Sequence, residues 1–152
     1  MKKIITFLCC LLPWFISNLI SLDYNYYQRL KLPSFAPPKA FFGIAWSIIY
    51  ILIAITIYYV ITSYSKIKNI PKNYKIILII NYLLNQSYTL VFFGLKNNFL
   101  GIISSLGTFL STLFLYEETS LINSKISKLL FSYIALSLFG TILSIAIYLF
   151  NM

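Results

Sequence analysis

The chain has 152 residues, of which 60% are hydrophobic, 18% aromatic and only 10% charged. A soluble domain carries roughly 25% charged residues and could not cover so much apolar side chain, so the composition excludes an ordinary cytosolic domain and a disordered chain and points to an integral membrane protein. Twelve Lys and Arg against three acids and no histidine give a net charge of +9, but the bases sit in short gaps between apolar runs, which fits basic membrane loops and not a nucleic-acid face.

Five apolar runs follow in order, at residues 4–22, 40–64, 76–95, 99–116 and 129–150. Each is about 18–25 residues, the length of a helix that crosses a hydrocarbon core of about 30 Å. Inside lipid the backbone must satisfy itself, and the runs show none of the alternation of a membrane β-barrel, so helices are expected. The first run follows Lys2 and Lys3 as a signal peptide would. It lacks a small-x-small cleavage site and is long, so a retained helix is expected. Its adjacent Cys9 and Cys10, with no histidine in the chain, read as apolar residues and not as a metal site or disulfide framework. The expected architecture is all-α, an integral membrane five-transmembrane-helix bundle in a single domain over residues 1–152. Eight lysines fall on the N-terminal side of such a bundle; Arg29, Lys31, Lys39 and Lys96 fall on the other. This places the N-terminus in the cytoplasm.

Chemistry is restricted by what is missing. Without histidine there is no Ser–His or Cys–His pair, and Glu117 and Glu118 point about 100° apart on a helix, so they form no facing carboxylate pair. No catalytic residue is assigned. Binding candidates remain. The stretch at residues 26–38, stiffened by Pro33, Pro37 and Pro38, is a connector or a lid over the bundle mouth. Asn81, Asn85 and Tyr88 share one face of the third helix, where buried amides serve as interhelix glue or as ligand contacts. Trp46 and Tyr50, one turn apart, are interfacial belt residues or a pocket wall. Two small-residue stripes, Gly101, Ser104, Thr108, Ser111 and Ser137, Gly140, Thr141, Ser144, suit close helix packing, and one of them a homodimer.

The run Tyr27-x-x-Leu30-x-x-Pro33-Ser34-Phe35-Ala36-Pro37-Pro38, followed by Phe42-Gly43-x-x-Trp46-Ser47-x-x-Tyr50, resembles the signature of the TspO/MBR family, the tryptophan-rich sensory or translocator proteins, also called peripheral-type benzodiazepine receptors. The third helix is similar at Asn81, Asn85, Tyr88, Thr89, Phe92 and Phe93, and the last at Tyr133, Phe139, Thr141, Leu143, Ala146 and Asn151. The resemblance implies a five-helix bundle, commonly a homodimer, with a pocket for porphyrins and haem-type tetrapyrroles and no covalently bound cofactor. By motif position Trp46, Tyr50, Asn81, Asn85 and Tyr88 line that pocket, while Phe35, Pro37 and Pro38 form its lid. Arg29, Lys31 or Lys39 at the rim would pair with propionates. The implied role is a sensor, regulator or carrier in a bacterial envelope membrane. The alternatives are a photo-oxidative porphyrin-degrading enzyme, or a partner-binding membrane protein without a working ligand site. Tyrosine replaces the family's usual tryptophan at Tyr26, Tyr88 and Tyr148, Leu136 replaces another, and Ser104 and Ser144 stand for a family Asp and Asn. Leu136 speaks against tryptophan photochemistry, and no base follows Tyr148 to complete a sterol motif.

Overall fold

The computed structural model describes residues 2–19, 23, 25–64 and 66–152, and these are mainly helical with no strand among them. Helix α1 (Lys2–Leu11) continues as a 3-10 helix over Leu12–Leu19. A single turn, α2 (Tyr26–Arg29), lies in the long loop. Helices α3 (Lys39–Ser63) and α4 (Lys72–Thr89) each begin directly behind a proline, Pro38 and Pro71. A proline holds an extended approach and loses nothing at a helix start, where its missing N–H has no partner anyway. α4 runs on as a π-helical turn over Leu90–Gly94. Asn97 caps α5 (Asn98–Ile122) by accepting from the Leu100 N–H at 2.9 Å. Asn123 ends α5 and caps the short α6 (Ser124–Ser127), which passes through a 3-10 turn into α7 (Phe131–Phe150). Among the described residues, four stretches are long and apolar enough to span a membrane: Lys39–Ser63, Lys72–Gly94, Asn98–Ile122 and Ser124–Phe150. With the further helical segment at the N-terminus they make an all-α membrane bundle.

The first segment departs from the single helix expected over residues 4–22, whose last three residues lie outside the described part. Pro13 has no N–H, and its ring clashes with the carbonyl four residues back, so an α-ladder cannot run through it. Eight residues is long for a 3-10 stretch, whose hydrogen bonds are poorer. Side chains of α4 take over the freed groups. Tyr82 Oη donates to the Pro13 carbonyl at 3.1 Å, Gln86 Nε2 donates to the Trp14 carbonyl at 3.1 Å, and Gln86 Oε1 accepts from the Ser17 N–H at 3.0 Å. At rises of about 1.5 and 2.0 Å per residue the two pieces still reach roughly 30 Å.

Other boundaries shift for a different reason. α4 starts four residues before the expected position 76, and α5 runs through Glu117 and Glu118 to Ile122 instead of stopping at 116. Charged residues end an apolar run, but Lys and Glu are good helix formers and do not end a helix.

α5 packs along α4 and α7, and α1 along α3. α3 makes its other close backbone approaches mainly to the 124–130 segment. There Asn123 Nδ2 donates to Tyr59 Oη at 2.7 Å, and Ile53, Ala54, Val60, Leu115 and Leu130 are wholly buried or nearly so. Beneath the loop a smaller cluster joins Tyr27, Phe92, Leu143 and Ile147. The small-residue stripes are spent inside the chain. Ser104, Thr108, Ser111, Ser137, Thr141 and Ser144 are all buried, and Ser104 Oγ donates to the Leu84 carbonyl at 2.9 Å. Gly101 lets Phe92 press on α5, since a Cβ there would stand 3.1 Å from the ring. Away from the polar ends at Thr62–Ser63 and Lys72–Asn73, the large exposed side chains of α3 and α4 are apolar, among them Ile44, Ile48, Ile79 and Leu83, as a lipid-facing surface requires.

Candidate functional site

Because α3 stands off from α4 and α7 toward the loop, side chains alone bridge the space, and they leave a cavity of about 240 Å³. α3 supplies Lys39, Phe42, Gly43, Trp46, Ser47 and Tyr50, a ladder at helical spacing that runs inward from the loop. α4 and its π-turn supply Asn85, Tyr88, Thr89, Phe92 and Phe93. Ser105 and Thr108 of α5, Ser137, Gly140 and Leu143 of α7, and Tyr27 of α2 close the remaining sides. From Lys39 to Tyr50 the ladder is roughly 16 Å deep at about 1.5 Å per residue.

The walls are aromatic and mutually braced. Tyr88 and Phe92 stack with ring centres 5.3 Å apart and planes within 9°. Trp46 leans on Tyr50 at 5.8 Å and meets Tyr133 edge-on at 6.0 Å. The π-turn carries Phe92 and Phe93, which both line the cavity.

At the deep end lies a hydrogen-bonded network to which all the long helical segments contribute. Tyr50 Oη donates to Asn85 Oδ1 at 3.1 Å, and Asn85 Nδ2 donates to Tyr133 Oη at 3.2 Å. Tyr133 Oη in turn donates to Asn81 Oδ1 at 2.9 Å, and Asn81 Nδ2 donates to Ser111 Oγ and Thr112 Oγ1, each at 2.9 Å. Gln86 Nε2 reaches Asn85 Oδ1 at 3.2 Å and ties in the 3-10 segment. Asn81 is therefore fully enclosed between α5 and α7 and does not line the cavity. Of the expected polar face, Asn81 acts as glue, while Asn85 and Tyr88 reach the space. Tyr88 Oη also pairs with Ser144 Oγ at 3.2 Å.

The loop residues are placed differently from the expected lid. Phe35 is exposed and meets the edge of Phe139 on α7, outside the cavity lining. Pro37 accepts from Tyr27 Oη at 3.0 Å and Pro38 starts α3, so neither lines the cavity. The residue that covers the space is Tyr27, whose phenol is pushed up in pKa by burial and stays a donor. The loop is fastened at its middle by Asn151, which accepts from the Lys31 N–H at 2.9 Å and donates to the Lys31 carbonyl at 2.9 Å. Of the three expected rim bases only Lys39 lines the cavity. Arg29 pairs with Asp23, which Lys96 also approaches at 3.2 Å. These two partners hold the Asp23 carboxyl below its ordinary pKa.

Tyr27 and Tyr133 enter the sequence reading only as motif positions, Ser137 and Gly140 only as a packing stripe, and Gln86 with no role, so none of them is assigned to the site there. A signal for Gln86 was present in Pro13, since a proline inside a spanning segment requires a partner for freed backbone groups. Tyr133 matched the motif of the last helix, but its role as hub depends on three helices meeting.

Comparison with known proteins agrees with this architecture. The TspO/MBR family profile matches residues 5–149. The chain is 32% identical over 154 aligned positions to the Tryptophan-rich protein TspO of Bacillus cereus, covering 99% of both chains. It is 31% identical to the Tryptophan-rich protein TspO of Archaeoglobus fulgidus, covering 84% of this chain and 80% of that one. It is also 30% identical to the uncharacterized membrane protein YtaB of Bacillus subtilis, over 88% and 85%. Matched from end to end by the family profile and by a relative of equal extent, the chain belongs to the TspO/MBR family.

Proposed function

We propose that the cavity beneath the loop binds a flat aromatic ligand of the porphyrin or haem type, and that the protein acts as a tetrapyrrole sensor, regulator or carrier. The observation that carries this reading is the cavity itself. Its walls are Trp46, Tyr50, Tyr88, Phe92 and Phe93, and the Asn85 amide stands at its deep end. Aromatic walls offer stacking area, and an amide fixes orientation. One Asn85 N–H goes to Tyr133, and an amide carries two. The closed volume of about 240 Å³ lies under the roughly 300–1,000 Å³ of pockets for drug-sized ligands, so a tetrapyrrole enters by lifting the loop. Tyr27 and the Asn151 fastening are the contacts that yield. The same reading sets the N-terminus on the cytoplasmic side of a bacterial envelope membrane, with the cavity mouth on the other face.

The test is a titration of protoporphyrin IX into detergent-solubilised protein, followed by the shift of its main absorption band. Saturable binding is expected, weakened about tenfold by Trp46→Leu and by Asn85→Ala, each removing roughly 1.4 kcal/mol of contact. Binding unchanged in both variants, or none in the parent, would overturn the assignment.

A further inference from the structure

Resting on that reading, we propose that the cavity selects flat guests that carry an N–H donor on their rim, as pyrrole- and indole-type heterocycles do. The side chains of the wall formed by α5 and α7 can accept hydrogen bonds but have none to give. Ser105, Thr108 and Ser137 line the cavity there and are buried. Each hydroxyl donates its single proton to a carbonyl of its own helix. Ser105 Oγ reaches the Ile102 carbonyl at 3.0 Å, Thr108 Oγ1 the Ser104 carbonyl at 2.9 Å, and Ser137 Oγ the Tyr133 carbonyl at 2.7 Å. Within lipid a serine or threonine hydroxyl settles in this way on a carbonyl three or four residues back in its helix. Two lone pairs remain on each oxygen, and they are what this wall offers a guest.

The phenols on the other sides follow the same rule. Ser144 Oγ gives its proton to the Gly140 carbonyl at 2.8 Å, so Tyr88 Oη, 3.2 Å from Ser144 Oγ, is the donor of that pair. Tyr27 Oη donates to the Pro37 carbonyl, and Tyr50 Oη to Asn85 Oδ1. Side-chain N–H donors of the lining stand on α3 and α4 alone, in Lys39, Trp46 and Asn85. The cavity is therefore two-sided: α3 and α4 bring rings and donors, while α5 and α7 bring acceptors. A guest that offers only acceptors can use the α5–α7 hydroxyls only if one of them breaks its bond to the helix. A rim N–H meets them as they stand, which spares the loss of an unpaired polar group in the interior. A closed porphyrin turns its N–H groups toward its own centre and gains no such contact, so its binding reports on the cavity apart from these hydroxyls.

The probes are carbazole, a flat tricycle whose one polar group is a rim N–H, and N-methylcarbazole, which lacks that proton. Both are titrated into the full chain in a non-ionic detergent and followed by their fluorescence, with protoporphyrin IX titrated alongside. The parent is expected to bind carbazole about fivefold more tightly than its methyl derivative, the worth of one hydrogen bond, and protoporphyrin IX should displace it. Ser105→Ala, Thr108→Val and Ser137→Ala combined in one chain should abolish the difference by weakening carbazole alone, whereas a preference set by the size of the methyl group would persist. These hydroxyls donate only within their own helices, so the fold is expected to hold. Should the combined variant not fold, Thr108→Val and Ser137→Ala are read singly, and at least one should narrow the difference. Equal binding of the two carbazoles by the parent, a difference that survives the substitutions, or binding of protoporphyrin IX without either carbazole overturns the inference while the cavity assignment stands. Failure of the parent to bind any of the three compounds overturns the cavity assignment as well.

Discussion

The half of the bundle remote from the long loop and the half beneath it use the same helices and the same residue types, yet one is filled and the other hollow. The contrast is sharpest between Asn81 and Asn85, one helical turn apart on α4. Asn81 has three neighbours within 2.9 Å and no exposed surface. Asn85 joins the same network through Tyr133 and Tyr50, but its other side meets the cavity. The difference comes from α3. In the remote half it closes against the 124–130 segment; toward the loop it reaches α7 through side chains, with Trp46 edge-on to Tyr133. An amide in a low-dielectric interior is glue when every direction has a partner, and a binding group when one direction is left to a guest.

Asn81→Leu is the strongest way to break this contrast. It removes the acceptor for Tyr133 and the donor to two hydroxyls. A loss of about 2–3 kcal/mol is expected, from several interhelix hydrogen bonds and the polar atoms they leave unpaired. Denaturation in mixed micelles measures it. Asn85→Ala should cost less stability and more binding, and the reverse order would erase the distinction between the two halves.

The hollow half can be filled without touching any of its hydrogen bonds. A Cβ built at Gly140 meets nothing within 4 Å, so a larger side chain there enters the cavity. Gly140→Leu should lower porphyrin affinity about thirtyfold, some 2 kcal/mol, while the unfolding midpoint holds or rises, since Leu is the better helix former. A variant that unfolds easily instead would mean that the space is smaller than described.

The smallest effect belongs to the surface of the loop. Arg29 and Lys96 depress the Asp23 pKa, so the bridge is intact at neutral pH and is lost only as pH falls through that lowered value, on the acid side of the ordinary carboxylate range. Asp23→Asn should leave the unfolding midpoint within about 1 °C, because exposed ion pairs contribute little. It should also speed hydrogen exchange in the loop at pH 7, and remove the further acceleration that the parent shows on acidification.

Much of this molecule was legible in the amino-acid order. Apolar run lengths located the spanning helices because lipid admits few other structures, whereas α4 starts behind Pro71, four residues before its apolar run, since a run length does not see the polar first turn of a helix. Trp46, Tyr50, Asn85 and Tyr88 could be grouped because helical spacing puts each pair on one face. What adjacency along a helix cannot report is what stands opposite. Only the packed bundle separated Asn81 from Asn85, singled out Lys39 from Arg29 and Lys31, and moved Phe35 away from the cavity in favour of Tyr27. Those outcomes depend on distances between segments up to about a hundred residues apart, and no local pattern encodes them. The conversion of the first helix after Pro13 is intermediate. Pro13 carries the break in the sequence, although a single helix was expected there, and the side chains that make it tolerable, Tyr82 and Gln86, lie on another helix.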